Sequence, residues 1–520
     1  MTTNVGDVPV LIVGGGPAGL TASLLLSRHG IQTLLVDKHA TASPLPRARG
    51  VHARAMEILR VCGVEADLRR LELPINPGAE WRPSLTGPPV REDVPGAAVA
   101  DAISPCEGLA ISQDVFESVL RNHARRYDLA QMRPGVELES LDVGGEGAEA
   151  ILLDHASGVR SRVRARYVIA ADGARSPIRQ RLRIGMDGPG DLGSQRMIAF
   201  RADLTGWTAR RPRGIYFLTD RSAALIWTHP DHRWVLNIPE PTTLGDPADG
   251  IREALGIPDL RLEVLASSRW TAAAQTATRY AQGPVFLAGD AAHRFPPAGA
   301  TGVSAAMHDV HNLVWKLAYV LNGHAPAALL DTYAPEREPV GRRTAQETGT
   351  AWSRVWNQTG APFAGRSLRQ LDMGYQYQSD IVATDGGPDA DPPGADHTPT
   401  ATPGCRAPHL WVSTPRGHRS TIDLFDQELV LLTAPPAAGW RTATETASRT
   451  LGIPVTIHTI AESEWPGCYG VTPTGAVLVR PDGHVAWRCR ALPTSGEPST
   501  EVQMGEALAT ATGAHTASVR

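Results

Sequence analysis

Apolar positions along this chain gather into a few short unbroken runs, and the first of them leads straight into glycine. Val8-Pro9-Val10-Leu11-Ile12-Val13 is followed at once by Gly14-Gly15-Gly16-Pro17-Ala18-Gly19. A continuous run with β-branched residues predicts a strand covered on both faces, as in a parallel sheet. Leu20–His29 predicts a helix stopped by Gly30, and Thr33–Val36 a second buried strand ended by Asp37. Strand, helix and strand make a βαβ unit of about thirty residues. Helical stretches are expected around Val51–Leu59 and Gln113–Arg126, and a buried strand over Arg164–Ala171. Between Ile184 and Tyr280 the texture changes. Gly214–Leu218, Ala223–Thr228 and Arg233–Ile238 are short β-branched and aromatic runs broken by Gly, Pro and Asp, the pattern of an antiparallel sheet. Gly283–Ala288 returns to a buried strand, and Ser304–Leu321 to helical periodicity.

After Gly386 the chain is dense in Pro, Gly, Asp and Thr, which predicts a linker. Apolar runs at Leu429–Leu432 and Ala476–Val479 then predict a small α/β unit. A length of 520 residues is too great for one core. The expected division is residues 1–183, a sheet unit at 184–282, a return to the first unit at 283–385, a linker at 386–402 and a C-terminal domain at 403–520.

Composition narrows the classes. Hydrophobic residues at 42% and charged residues at 20% exclude a disordered chain. A net charge of −4 gives no electrostatic case for nucleic acid. No apolar run approaches the roughly 18 residues of a membrane span, and no basic, apolar leader opens the chain, so a cytoplasmic protein is expected. Five widely spaced cysteines without a C-x-x-C pair argue against a disulfide framework, a zinc site or a dithiol centre. No metal site is expected. Lys38 and Lys316 are the only lysines among 50 basic side chains.

Three blocks carry the chemistry. In Gly14-x-Gly16-x-x-Gly19, glycines permit a tight turn, close approach of a pyrophosphate and close helix packing, and the helix N-terminus favours the anion. Asp37, eighteen residues past Gly19, is placed to accept a ribose hydroxyl. Asp172-Gly173-Ala174-Arg175-Ser176 follows another strand. Gly289-Asp290-Ala291-Ala292-His293-Arg294-Phe295-Pro296-Pro297-Ala298-Gly299-Ala300-Thr301-Gly302 follows a third, with Asp290 at the carboxyl end where a doubly wound sheet binds ligands.

Taken together, G-x-G-x-x-G, D-G-x-x-S-x-x-R and G-D-A-A-H-x-x-P-P-x-G, in this order and spacing, resemble the fingerprints of the class A flavoprotein aromatic hydroxylases. Pro46–Arg54, Gln113-x-x-x-Glu117 and Asp309–Leu317 add to the likeness, and Gly475–Trp487 resembles the tail of the phenol and polyketide hydroxylase branch. The resemblance implies an α/β protein: a Rossmann-like FAD-binding domain, an antiparallel substrate sheet and a C-terminal thioredoxin-like domain. It implies FAD held by Gly14, Gly16, Gly19, Asp37, Lys38, Arg47, Gln113, Asp172, Asp290, Ala300, Val303 and Ser304. Ser304 and Ala306 stand where the family usually has Asn and Gly. NADPH or NADH would act as transient co-substrate with O2, the flavin C4a-hydroperoxide would hydroxylate a small aromatic substrate, and the protein would be a homodimer.

Which residue polarises the substrate is open. Tyr216, Trp227, His229 and Trp234 are candidates on the sheet, and Pro296 beside the flavin's reactive edge. A flavin halogenase is disfavoured because Trp234-Val235-Leu236-Asn237-Ile238-Pro239 lacks the second Trp of W-x-W-x-I-P and neither lysine lies in the pocket region. Baeyer–Villiger oxygen insertion by the same fold stays open, as does a non-catalytic flavin-binding protein.

Overall fold

The computed structural model describes residues 2–41, 43, 49–93, 103–210, 212–240, 245–356, 368–385 and 399–514. Its first sheet has the strands Val285–Leu287, Arg160–Ala170, Thr2–Val13, Thr33–Asp37 and Ala130–Pro134 side by side and parallel. Val10, Leu11, Ile12 and Val36 are fully buried, as the unbroken apolar runs require when helices cover both faces. Arg160–Ala170 shows the change within one strand. Its first half alternates arginines outward with buried Ser161, Val163 and Ala165 where Gly147–Asp154 pairs with it, and its second half is buried throughout.

Pro17 opens the helix Pro17–Arg28, where its fixed φ is already helical and its missing N–H costs nothing. Every residue from Ala18 to Ser27 is buried, because the helix lies between Gln113–Ala124 and Thr301–Leu321.

The second sheet is seven-stranded, in the order Glu263–Thr271, Ser194–Arg201, Arg233–Pro239, Ala223–His229, Arg213–Leu218, Asn76–Arg82, Arg91–Asp93. The last two strands correct the expected boundary at 183: a segment from early in the chain completes this sheet, Asn76–Arg82 running parallel to Arg213–Leu218. One face packs on the helix Pro247–Leu255, which is capped by Asp246 accepting from Ala248 N at 2.9 Å and stopped by Gly256 at φ 71°. That core joins Ile251, Ala254 and Leu255 to Ile198, Phe200, Tyr216, Leu225, Trp234 and Leu236.

The C-terminal unit is a four-stranded sheet, Val455–Thr459, Leu429–Thr433, Ala476–Val479, Val485–Cys489, whose first pair is parallel and the others antiparallel. Helices Ala438–Leu451 and Thr500–Ala511 pack on each other beside it. Most of the expected linker, 386–398, lies outside the described residues. Ala401 and Thr402 do not fit the linker expectation, being buried against the C-terminal unit.

That unit is clamped to the first by buried charge. Glu336 accepts from both Nη atoms of Arg480, at 2.6 and 2.9 Å, and from Lys316 Nζ at 2.7 Å. Glu57 pairs with Arg54 and Arg406 and accepts from Ser104 Oγ at 2.6 Å. Arg54 also donates to the carbonyl of Asp482 at 2.6 Å. Among the described residues no helix is long and apolar enough to cross a membrane.

Candidate functional site

The three glycines of the first block do different things. A Cβ on Gly14, whose φ is 111°, would run into the carbonyl of Ala171, and one on Gly19 into the carbonyl of Gly14. These two are glycine because the chain itself approaches. Gly16 has ordinary extended backbone, φ −79° and ψ −172°, and the nearest atom to its β-position is Glu117 Oε1 at 4.0 Å. Among the described residues nothing requires glycine there. It stands at the N-cap of Pro17–Arg28, with no side-chain cap and no acidic residue in the first turn, so the amides and the positive helix end are open to an anion.

Around that opening the expected residues converge. The Asp37 carboxylate accepts from Gly15 N at 2.6 Å and His39 N at 2.7 Å, which fixes it over the glycine loop with lone pairs to spare. Gln113 donates to Glu117 Oε1 at 2.7 Å, the oxygen that faces Gly16. Lys38 is exposed just beyond Asp37, and Arg47 lies outside the described residues.

Asp172 is anchored within its own loop. Its two oxygens accept from Ser176 Oγ at 2.6 Å and Ile178 N at 3.0 Å, the side chain stays half-buried, and burial raises its pKa. Ser176 in turn accepts from Arg179 N, and the Arg179 guanidinium donates to Ala174 O at 3.0 Å and Ala291 O at 2.9 Å. The D-G-x-x-S-x-x-R block is thus a clamp that ties the loop after one strand to the loop after the next.

Asp290 is exposed at the carboxyl end of Val285–Leu287. The turn beneath it is held by Asp309, which accepts from Gly289 N at 3.0 Å, lies 2.7 Å from His293 Nε2 and accepts from Arg337 Nε at 2.8 Å. Burial works to raise the Asp309 pKa, but His293 and Arg337 outweigh it and hold the carboxyl below its ordinary value. Asp309 has no assigned role in the sequence reading, although one carboxylate in an apolar helix is a signal that it must meet a partner inside.

A second open helix end lies at Thr301–Leu321. Gly299 and Ala300 are both left-handed, at φ 80° and 55°, and Ala300 caps the helix with no side-chain bond. An alanine in that region costs about 1–2 kcal/mol, so the turn is held against its own preference. His52 holds it: its N–H donates to Ser304 Oγ at 3.0 Å and its Nε2 lies 2.8 Å from Gly299 O. Among the described residues, nothing outside its own helix comes within 4 Å of a β-position on Gly302. Val303 is half-buried, Ser304 buried, and Pro296 buried beside this turn.

Two uncapped helix ends, each with a glycine whose β-position meets open space, flank the exposed Asp290. That suits an extended dinucleotide with its diphosphate at Gly16 and a polar ring edge at Ala300–Ser304, so FAD fits these residues.

The aromatic candidates do not join this group. Tyr216 is fully buried on the face packed against Pro247–Leu255, its hydroxyl accepting from Arg213 N at 2.9 Å. Trp234 shares that core, and Trp227 stacks on it with ring centroids 5.6 Å apart. His229 sits at the hairpin end, 2.7 Å from Asp231. The opposite face carries Met197, Ile215, Phe217, Ile226 and Asn237, with Trp81 stacked on Phe217 at 4.7 Å. Ile215, Phe217 and Ile226 are only half-buried.

Comparison with known proteins agrees along the whole chain. Residues 7–348 match the FAD binding domain family, and residues 400–514 the aromatic-ring hydroxylase C-terminal family. Tetracenomycin A2 monooxygenase-dioxygenase of Streptomyces glaucescens is 35% identical over 94% of each chain. The 4-methyl-5-nitrocatechol 5-monooxygenase of a Burkholderia species is 35% identical over 94% of this chain and 95% of its own. A ternary complex of aklavinone-11 hydroxylase with FAD and aklavinone superposes with a TM-score of 0.86 at 32% identity, covering 99% of this chain and 100% of that one.

Proposed function

We propose, from the premise that the chain belongs to the FAD-dependent aromatic-ring hydroxylases, that its substrate is a multi-ring phenol of the polyketide type. The enzyme is an FAD-dependent monooxygenase. The observation that carries the site assignment is the pair of open helix ends at Gly16 and Ala300, on either side of Asp290. The polyketide class is supported by the tetracenomycin and aklavinone enzymes among its relatives.

Bound there, FAD supplies reduction by NAD(P)H and activation of O2 for transfer of one oxygen atom to the ring. Gly16 and the first-turn amides hold the diphosphate, Asp37 the adenosine ribose, Asp290 the polyol chain, and the amides of Val303 and Ser304 the ring edge. His52 and Asp309 fix the two turns. The half-buried face of Ile215, Phe217 and Ile226 supplies an apolar wall that excludes water from the reacting ring. The C-terminal unit is read as thioredoxin-like in its strand order, without a redox pair, since no two cysteines form C-x-x-C.

A screen of one-, two- and multi-ring phenols tests the substrate class. Multi-ring phenols are expected to stimulate NAD(P)H consumption and to give hydroxylated product in equal amount. Coupled turnover confined to single-ring phenols would overturn the substrate class, and stimulation with peroxide as the only product would overturn hydroxylation.

A further inference from the structure

Among the described residues the buried arginines have partners, and half-buried Arg49 stands apart from them. Arg54 and Arg406 meet Glu57, Arg337 meets Asp309, Arg480 meets Glu336, and Arg179 meets two carbonyls. Arg49 meets none of these. Its backbone is fixed, its carbonyl accepting from Ile111 N at 2.9 Å, and the adjoining Gly50 brings its β-position within 3.5 Å of Ala300 Cβ. Its side chain crosses to the seven-stranded sheet and lies on Gly214 so closely that a Cβ there would overlap Nη1. Nη1 is buried and, among the described residues, has no hydrogen-bond partner. Burial lowers the guanidinium to about 10, with no carboxylate acting in the other direction. On the two neighbouring strands Glu80 pairs with Arg82 and Glu92 with Arg213.

A cationic donor buried without a partner is costly, and such groups are ordinarily paired. Arg49 lies at the seam between the turn expected to hold the flavin ring and the start of the strand Arg213–Leu218, which it meets at Gly214, one residue before the apolar wall begins and on the Tyr216 side of the strand. Gly214 is what makes room for it. We infer that Arg49 is the binding group for a negatively charged oxygen of the aromatic substrate, either a carboxylate or an ionised phenol. The inference rests on the oxygenase reading above and adds a charge requirement to it.

The test uses the FAD-loaded protein and the change in flavin absorbance as a bound ligand perturbs it. The probes are anthraquinone carboxylate against its carboxamide, and alizarin against its methyl ether. Wild-type protein is expected to bind one charged probe roughly ten- to hundredfold more tightly than its neutral partner, the size of a charge-assisted hydrogen bond. The pair that shows it identifies the source of the charge. Arg49→Gln should bring that ratio near one with FAD content unchanged, and Arg49→Lys should restore part of it. Gly214→Ala keeps the cation but displaces it, and should have the same effect as Arg49→Gln, which keeps the test sharp if one variant folds poorly. No preference for either charged probe in wild type would overturn the inference. So would a loss of FAD, or of the choice between NADPH and NADH, with the probe ratio intact. A protein that never takes up FAD fails the functional reading instead.

Discussion

Gly16→Val yields a folded protein that purifies without flavin. The valine enters space in which the nearest protein atom is 4.0 Å from the new Cβ, on a backbone that any residue can adopt, so the chain itself has no objection. The objection comes from the diphosphate, whose approach to the helix end the side chain blocks. Overpacking of this kind lowers FAD affinity by at least about a hundredfold. Circular dichroism like that of wild-type apoprotein, with no absorbance in the flavin bands, is the expected result. Gly19→Val provides the contrast: its Cβ would meet the Gly14 carbonyl, so it should lose the fold and not merely the cofactor. A yellow Gly16→Val protein with full FAD content would remove the diphosphate from this site.

The largest effect on stability is expected from Glu336→Ala. The side chain is fully buried and accepts from Arg480, Lys316, Asn312 Nδ2 at 2.6 Å and Ser379 Oγ at 2.7 Å. Removing it leaves buried Lys316 without its paired carboxylate and Arg480 with Asp482 alone, a loss of about 3–5 kcal/mol. Glu336→Gln, which keeps shape and some acceptor capacity, should lose less. Urea unfolding followed by tryptophan fluorescence reads both, since the ion cluster lies against Trp315. A Glu336→Ala midpoint equal to wild type would mean the cluster contributes nothing to holding the two units together.

The same glutamate makes a prediction about acid. Burial would raise the Glu336 and Glu57 pKa values, but the arginines around them, helped at Glu336 by Lys316, prevail and hold each at about 2, against an ordinary 4.5. Their contribution is therefore complete above about pH 4.5 and is lost as the pH falls toward 2. Glu336→Gln should flatten that acid limb.

How much of this was legible beforehand depends on range. The glycine block, the strands beside it and Asp290 were legible because their signals span a few adjacent residues. Which of Gly14, Gly16 and Gly19 faces a ligand was not, since it depends on Ala171, more than 150 residues away. Period-two alternation groups Tyr216 with Leu218 but does not say which face looks toward the cofactor, so the packing residues were offered as candidates. Asn76–Arg82 is not legible because Pro74, Pro77 and Pro83 suppress any strand pattern, yet Pro77 falls at the register shift against Arg213–Leu218, where a missing N–H is tolerated. A strand-end aspartate can bind or cap, and that Asp172 accepts from Ser176 and Ile178 is visible only in the folded loop. The ion cluster joins Arg54, Lys316, Glu336 and Arg480, which nothing in their local sequence connects.

The central claim is that this site transfers oxygen to an aromatic ring, and labelled dioxygen tests it most directly. With purified protein, FAD, NAD(P)H and a multi-ring phenol under ¹⁸O2, one labelled atom is expected on a new ring hydroxyl for each NAD(P)H consumed. Label in a new ester or lactone would instead show insertion into a carbon–carbon bond, and unlabelled product accompanied by hydrogen peroxide would contradict the oxygenase assignment altogether.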